Sequence, residues 1–197
     1  MSGMAGIEDQ GTARAAVKLT YDDFVHFPDD GKRHELIDGE HYVTPSPNIR
    51  HQWILGNLHL LIGNWLEEHP IGRVFFAPLD VVFSHFDVVE PDLLYLSNER
   101  AAQAITPIHV RGVPELVVEI ASKGTRRRDE TIKRRLYERA GVSEYWVVDP
   151  AIDVVRVYRR EADRLGRPQE LSREASDVLT TSLLPGLELP LTRIFRE

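Results

Sequence analysis

Glu119 stands alone among apolar neighbours. It lies in "VPELVVEIASKGT" (113–125), with Leu116, Val117 and Val118 before it and Ile120 and Ala121 after it. A run this short and this rich in β-branched residues predicts a strand buried on both faces. A lone carboxylate there costs several kcal/mol unless it is paired, protonated or bound to a cation. Three more acidic residues recur at apolar strand positions: Asp92 in "PDLLYL", Asp80 in "DVVF" and Glu35 in "HELIDGE". Pro91 cannot donate to a central ladder, so it marks a strand's entry, with Asp92 the first residue.

Such a set suits a hard cation. Mg²⁺ or Mn²⁺ takes carboxylate oxygens and water, usually with only one or two direct carboxylates. Strand alternation puts Val117, Glu119 and Ala121 on one face and Leu116, Val118 and Ile120 on the other. If "PDLLYL" and "ELVVEIA" are neighbouring strands, Asp92 and Glu119 meet on one face. A metal there would lower the pKa of a water and neutralise charge on a phosphodiester. A nearby ammonium would steer that water or stabilise the pentavalent phosphate. The nearby lysines are Lys123 and Lys133. Lys133 follows Asp129 by four residues and shares a helix face with it. A helix returning across the strand would bring Lys133 over Glu119. The competing reading of Glu119 is a structural ion pair with a buried arginine; that of Asp92 is a strand-entry turn residue.

These side chains need elements to position them. Thr20 is an N-cap for a short helix, "YDDFVHF". "HELIDGEHYVT" reads as a hairpin turned at Asp38-Gly39. From Asn48 to about Glu68 the spacing of Ile54, Leu58, Leu61, Ile62 and Trp65 predicts an amphipathic helix. His51 and His59 on it are eight residues apart, roughly 12 Å by helical rise, too far to share one metal. Strands follow at "GRVFFAP", "LDVVFS" and "PDLLYL", then a short helix and loop over 97–112, then the strand at about 115–121. A helix from Asp129 to Ala140 ends at Gly141. "EYWVVD" is a buried strand, and "DVVRVYRR" alternates as a half-exposed one. Weaker strand signals lie at 169–181 and 187–189, and "LTRIF" forms a last turn. Trp146, Tyr145 and Tyr137 read as core. One α/β (α+β) domain over 18–197, behind a flexible tail of residues 1–17, accounts for this order.

Composition narrows the partners. The chain has no cysteine, which excludes disulfides, thiolate zinc sites and a cysteine nucleophile, and suits a cytoplasmic protein. No apolar run reaches the roughly 18 residues of a membrane span. The net charge of −7 argues against nucleic acid, but it is unevenly spread. Residues 123–139 carry eight Lys and Arg against three acids, a local +5 that leaves −12 elsewhere. That segment is either a solvated helix face or a grip on phosphates through Arg126, Arg127 and Arg128.

The segments "RHELIDGE", "PSPNIRH", "VEPDLLYL", "PELVVEIASKGTRRRDETIKRRLYERAGVSEYWVVDP" and "LLPGLELPL" resemble the Uma-two family (domain of unknown function 820). That family belongs to the PD-(D/E)XK restriction-endonuclease-like superfamily. The resemblance covers about residues 18–195. It implies a mixed β-sheet flanked by helices, Mg²⁺ as cofactor and DNA as substrate. It also implies Asp92 and Glu119 as the motif acids, with Glu35 matching the acid the superfamily often adds from an N-terminal element. Two positions depart from the pattern. Ala121 stands where the superfamily has its lysine, and Lys133 is the natural migrated substitute. Lys123 stands where the branch usually has proline, and is either a second candidate or a surface residue.

The reading that follows is a Mg²⁺- or Mn²⁺-dependent endodeoxyribonuclease. Asp92 and Glu119 hold the metal, Glu35 assists, Lys133 acts near the water, and Arg126, Arg127 and Arg128 contact DNA phosphates. The alternatives are a non-catalytic nuclease-fold module that binds DNA or a protein partner, and an interaction domain with no nucleic-acid role. A homodimer is expected, with Val155, Val157 and Leu179 as its interface, since cutting two strands with one site per chain is simplest with a two-fold pair.

Overall fold

The computed structural model describes residues 17–122 and 124–197. The expected tail, apart from Val17, and Lys123 lie outside the described residues. The first part of the chain contains α1 (Tyr21–Phe24), β1 (Arg33–Ile37), β2 (Glu40–Thr44), α2 (Ile49–Glu68), β3 (Gly72–Phe76), β4 (Val81–Ser84), β5 (Asp87–Val89) and β6 (Leu93–Ser97). Then come α3 (Asn98–Ala104), β7 (Val110–Arg111), β8 (Leu116–Ile120), α4 (Arg126–Arg128), a π turn (Asp129–Lys133), α5 (Arg134–Ala140) and β9 (Glu144–Asp149). The last elements are β10 (Val154–Glu161), β11 (Arg164–Leu165), β12 (Gln169–Ser172), β13 (Val178–Leu179), β14 (Leu189–Pro190) and α6 (Leu191–Ile194).

Local chemistry sets many of these boundaries. Thr20 and Asp23 form a reciprocal capping box that starts α1. Asp38 and Gly39 both take positive φ, 53° and 76°, as a two-residue type I′ hairpin turn requires. The Asn48 side chain accepts from the His51 amide at 2.9 Å and caps α2. Gly141 ends α5 in the left-handed conformation at φ 93°.

A seven-stranded sheet forms the centre, in the order β11-β10-β9-β8-β6-β3 with β12 alongside β10. Its pairs are antiparallel except β8 with β9, which the α4–α5 segment connects as a parallel crossover. One face carries Leu93, Leu116, Val118 and Ile120 against Ile54, Leu58 and Ile62 of α2 and against the C-terminal segment. The other carries Leu94 and Val117 against Leu136 and Tyr137 of α5, with Ile37, Val81 and Val89 of a second, five-stranded sheet. The alternation along β8 therefore runs as expected, and Glu119 falls on the α5 side with Val117.

Several elements differ from the sequence reading. The strand β5 was not expected. "HFDVVE" is short, yet Val88 and Val89 are fully buried between β1 and β4. The 126–140 helix begins three residues early and opens into the π turn at Asp129. The strand β6 begins at Leu93, one residue after Asp92. Val155, Val157 and Leu179 are not an interface: each is at most 1% exposed and packs into the core beside α2.

Candidate active site

The register of β6 against β8 pairs Leu93 with Val118. One further step sets Asp92 opposite Glu119, at the carboxyl end of β8. In α/β sheets that end is where ligands bind. A cavity of about 580 Å³ opens there, bounded by residues 44–48, Pro150, Ala151 and the start of α4. Glu35, Asp92, Glu119 and Lys133 all line it, as do Arg126 and Arg128.

Three of the expected site residues are in direct contact. The Lys133 ammonium donates to Glu119 Oε1 at 2.9 Å and lies 2.7 Å from Glu35 Oε1. The lysine thus reaches the glutamate from the following helix, while Ala121 packs as core. Tyr137, one turn further on, donates its hydroxyl to the same Glu119 oxygen at 2.6 Å. Glu35 reaches the cluster from β1, where its Oε1 also accepts the Glu90 amide at 3.1 Å.

Asp92 keeps different company. Its Oδ1 accepts from Arg33 Nη1 at 2.7 Å, and its Oδ2 from the Ile120 amide at 2.8 Å. His51 of α2 brings Nε2 to 3.1 Å of Oδ2. Burial would raise the Asp92 pKa, but the His51 and Arg33 contacts override it and hold the carboxyl at about 2. Asp80 lies outside the main cavity, in a smaller one near His109.

Glu119 behaves in the opposite way. Burial pushes its pKa up to about 8 despite Lys133, and the carboxylates of Asp129, Asp92 and Glu35 add to the rise. Burial likewise lifts Glu90 to about 7 and raises Asp129. Lys133 is pulled both ways. Burial opposes its charge, but Glu119, Glu35 and Asp129 more than compensate and hold it as an ammonium. It can therefore donate a hydrogen bond but cannot accept a proton.

The cavity carries more carboxyl groups than free cations. Arg50 and Arg126 are committed to Asp153 and Asp149, each at 2.5 Å. Among the described residues, Glu35, Glu90, Asp92, Glu119 and Asp129 then face Arg33, Arg128 and Lys133, with His51 beside Asp92. Glu35 Oε2, Glu90 Oε2 and Asp129 Oδ1 are buried without a hydrogen-bond partner. Buried oxygen acceptors in excess are the donor set of a hard divalent cation, so the residues fit one in charge and in chemistry. Among the described residues, no three His, Asp or Glu side chains converge as a ready cage.

A buried carboxylate elsewhere on the sheet shows the contrast. Glu144 accepts from Trp146 Nε1 and the Thr181 hydroxyl at 2.9 Å each, and from Arg159 at 3.2 Å. Both of its oxygens are served by hydrogen bonds.

Of the basic triplet, Arg127 is exposed, whereas Arg126 and Arg128 turn inward. Arg128 donates to Thr44 Oγ1 at 2.5 Å and stacks over Tyr42. Sequence reasoning missed Arg33, Glu90 and the role of Tyr137. Arg33 adjoins the quoted "HELIDGE", but nothing in its spacing announces a partner 59 residues away. Tyr137 does fall four residues after Lys133, a signal that could have joined them.

A mixed sheet with a parallel β8–helix–β9 unit, and with acids gathered at the end of β8, has the restriction-endonuclease-like nuclease fold. The family model described as "Uma2: Putative restriction endonuclease" matches residues 21–192, and the chain belongs to that family. A solved structure from Anabaena variabilis ATCC 29413, titled a putative nuclease belonging to DUF820, superposes with a TM-score of 0.76. It is 20% identical, over 90% of this chain and 97% of that one, and so shows the fold. The type IIG restriction endonuclease BpuSI aligns with 74% of this chain and 15% of its own, at 15% identity and a TM-score of 0.41. Among curated proteins, none matches the chain.

Proposed function

We propose that the 18–197 domain is an endodeoxyribonuclease that uses Mg²⁺ or Mn²⁺ to hydrolyse DNA phosphodiester bonds in the cytoplasm. The observation that carries this reading is Glu119: a buried carboxylate at a strand's carboxyl end, bonded to Lys133 and open to a cavity shared with Asp92. A purely structural carboxylate would be served as Glu144 is. Asp92 and Glu119 are the metal ligands. When bound, the cation supplies Lewis acidity for a water and neutralises phosphate charge. Glu35 holds the Lys133 ammonium in place. Lys133 donates toward the developing negative charge. Arg126, Arg127 and Arg128 contact backbone phosphates.

The test is nicking of supercoiled plasmid in Mg²⁺ and in EDTA, with Glu119→Gln beside the wild type. Mg²⁺-dependent nicking that Glu119→Gln abolishes is expected. One observation favours the rival module without catalysis: both Asp92 oxygens are already engaged. Mg²⁺ uptake and DNA binding with no nicking would select that reading. The active form is a homodimer, although the interface first expected for it is core. Sedimentation showing only monomer at micromolar concentration would refute the pairing.

A further inference from the structure

We propose that Arg33 occupies the metal's place on Asp92 in the metal-free protein, and that metal binding frees its guanidinium for a DNA phosphate. Metal and DNA would then bind with positive coupling. This inference rests on the metal-nuclease reading of the site.

Three observations carry it. First, Arg33 Nη1 sits 2.7 Å from Asp92 Oδ1. That is the only Asp92 oxygen without a backbone tie, because Oδ2 is held by the Ile120 amide and His51. A cation approaching Asp92 therefore meets Arg33 first. Second, the guanidinium is placed to leave. Its side chain is 19% exposed and lines the cavity, whereas Lys133 at the other acid is 4% exposed and bonded on two sides. Third, among the described residues, the other arginines that line this side of the cavity have partners away from Asp92. Arg128 is engaged with Thr44 and Tyr42, and Arg50 with Asp153.

The energetics point the same way. A buried carboxylate without a countercharge is costly, so the metal-free protein needs a cation at Asp92. A divalent ion answers that need better. Once it does, a guanidinium left beside it is repelled, and a planar donor fork suits a phosphate. Each ligand then favours the same position of Arg33. Linkage requires that the metal tightens DNA by the factor by which DNA tightens the metal.

The experiment measures Mn²⁺ uptake by the protein alone, from the loss of the free Mn²⁺ electron-paramagnetic signal. Wild type, Arg33→Gln and Glu119→Gln are compared. Removing a competitor must tighten Mn²⁺ binding, on the order of tenfold, within the range of ordinary coupling factors. If Arg33 merely orients Asp92, Arg33→Gln binds Mn²⁺ more weakly or equally, and the proposal fails. Anisotropy of a labelled duplex with phosphorothioate linkages gives the second readout. Wild-type affinity should rise on adding Mn²⁺, and that rise should be several-fold smaller in Arg33→Gln, with the two proteins alike in EDTA. A deficit of Arg33→Gln in EDTA as large as in Mn²⁺ would overturn the switch. Should Arg33→Gln fail to fold, Arg33→Lys replaces it. Its shorter, single-headed arm competes less well, so it too must bind Mn²⁺ more tightly than wild type; equal or weaker binding refutes the idea. Wild type that takes up no more Mn²⁺ than Glu119→Gln sinks the metal reading and this one together. Uptake through Glu119 without a gain in the Arg33 variants sinks this one alone.

Discussion

Glu119→Gln in metal-free protein is a sharp test of the site's electrostatics. The carboxyl rises from an ordinary 4.5 to about 8 on folding, chiefly through burial. A raised folded pKa means that the native state holds a proton the unfolded chain releases. The associated stability is complete below pH 4.5 and is lost as pH climbs through 8. At 1.36 kcal/mol per pH unit, the wild type has lost about 3 kcal/mol of it by pH 7 and about 5 kcal/mol above pH 8. Glutamine keeps the Oε1 acceptor that Lys133 and Tyr137 use, and has no proton to lose. Glu119→Gln should match the wild type near pH 4.5 and exceed it by about 3 kcal/mol at pH 7, with a larger gap at pH 9. Urea unfolding in EDTA across that range measures the difference, and added Mg²⁺ should raise the melting temperature of the wild type only. A variant several kcal/mol less stable than wild type at pH 7, with a gap that ignores pH, would mean an ionised Glu119 serving Lys133 as a structural counterion.

Lys133→Ala leaves the fully buried Glu35 without its cation, and should cost about 3–5 kcal/mol in urea unfolding. Nicking should also fall further than in Lys123→Ala; equal effects would deny Lys133 its special place. Tyr137→Phe removes one hydrogen bond to Glu119 and should cost about 1 kcal/mol, against no change if that bond contributes nothing. Replacing Arg126, Arg127 and Arg128 together by alanine should shallow the salt dependence of DNA binding by between about 1 and 3 in log–log slope. An unchanged slope would remove the segment from the binding surface.

The course of the chain was largely legible because local signals were strong. The Asp38-Gly39 turn, the Thr20 cap and the α2 periodicity each have a short-range cause, and each appears as read. The face of β8 that carries Glu119 followed from alternation alone. The strand β5 escaped because three residues between two other strands have no period of their own. The lysine could be nominated, since a returning helix must cross its strand. Its second partner Glu35 comes from the other sheet, 98 positions back along the chain. Contacts of that kind depend on tertiary packing, and so do Arg33 on Asp92 and the burial that reverses the usual state of Glu119.

Asp92 also closes a backbone account. Pro91 occupies the place where β6 would continue past Leu93, and the Asp92 carboxylate, not a neighbouring strand, receives the Ile120 amide. The residue is thus a stitch between two strands as well as a site acid. In genetic work this separates two kinds of null allele. Asp92→Ala would orphan an amide, an arginine and a histidine at once, and a loss of a few kcal/mol lowers a protein's cellular abundance. A phenotype from that allele would mix missing protein with missing chemistry. Glu119→Gln removes the charge and leaves the stitch in place, so cells carrying it should keep normal levels of a silent protein.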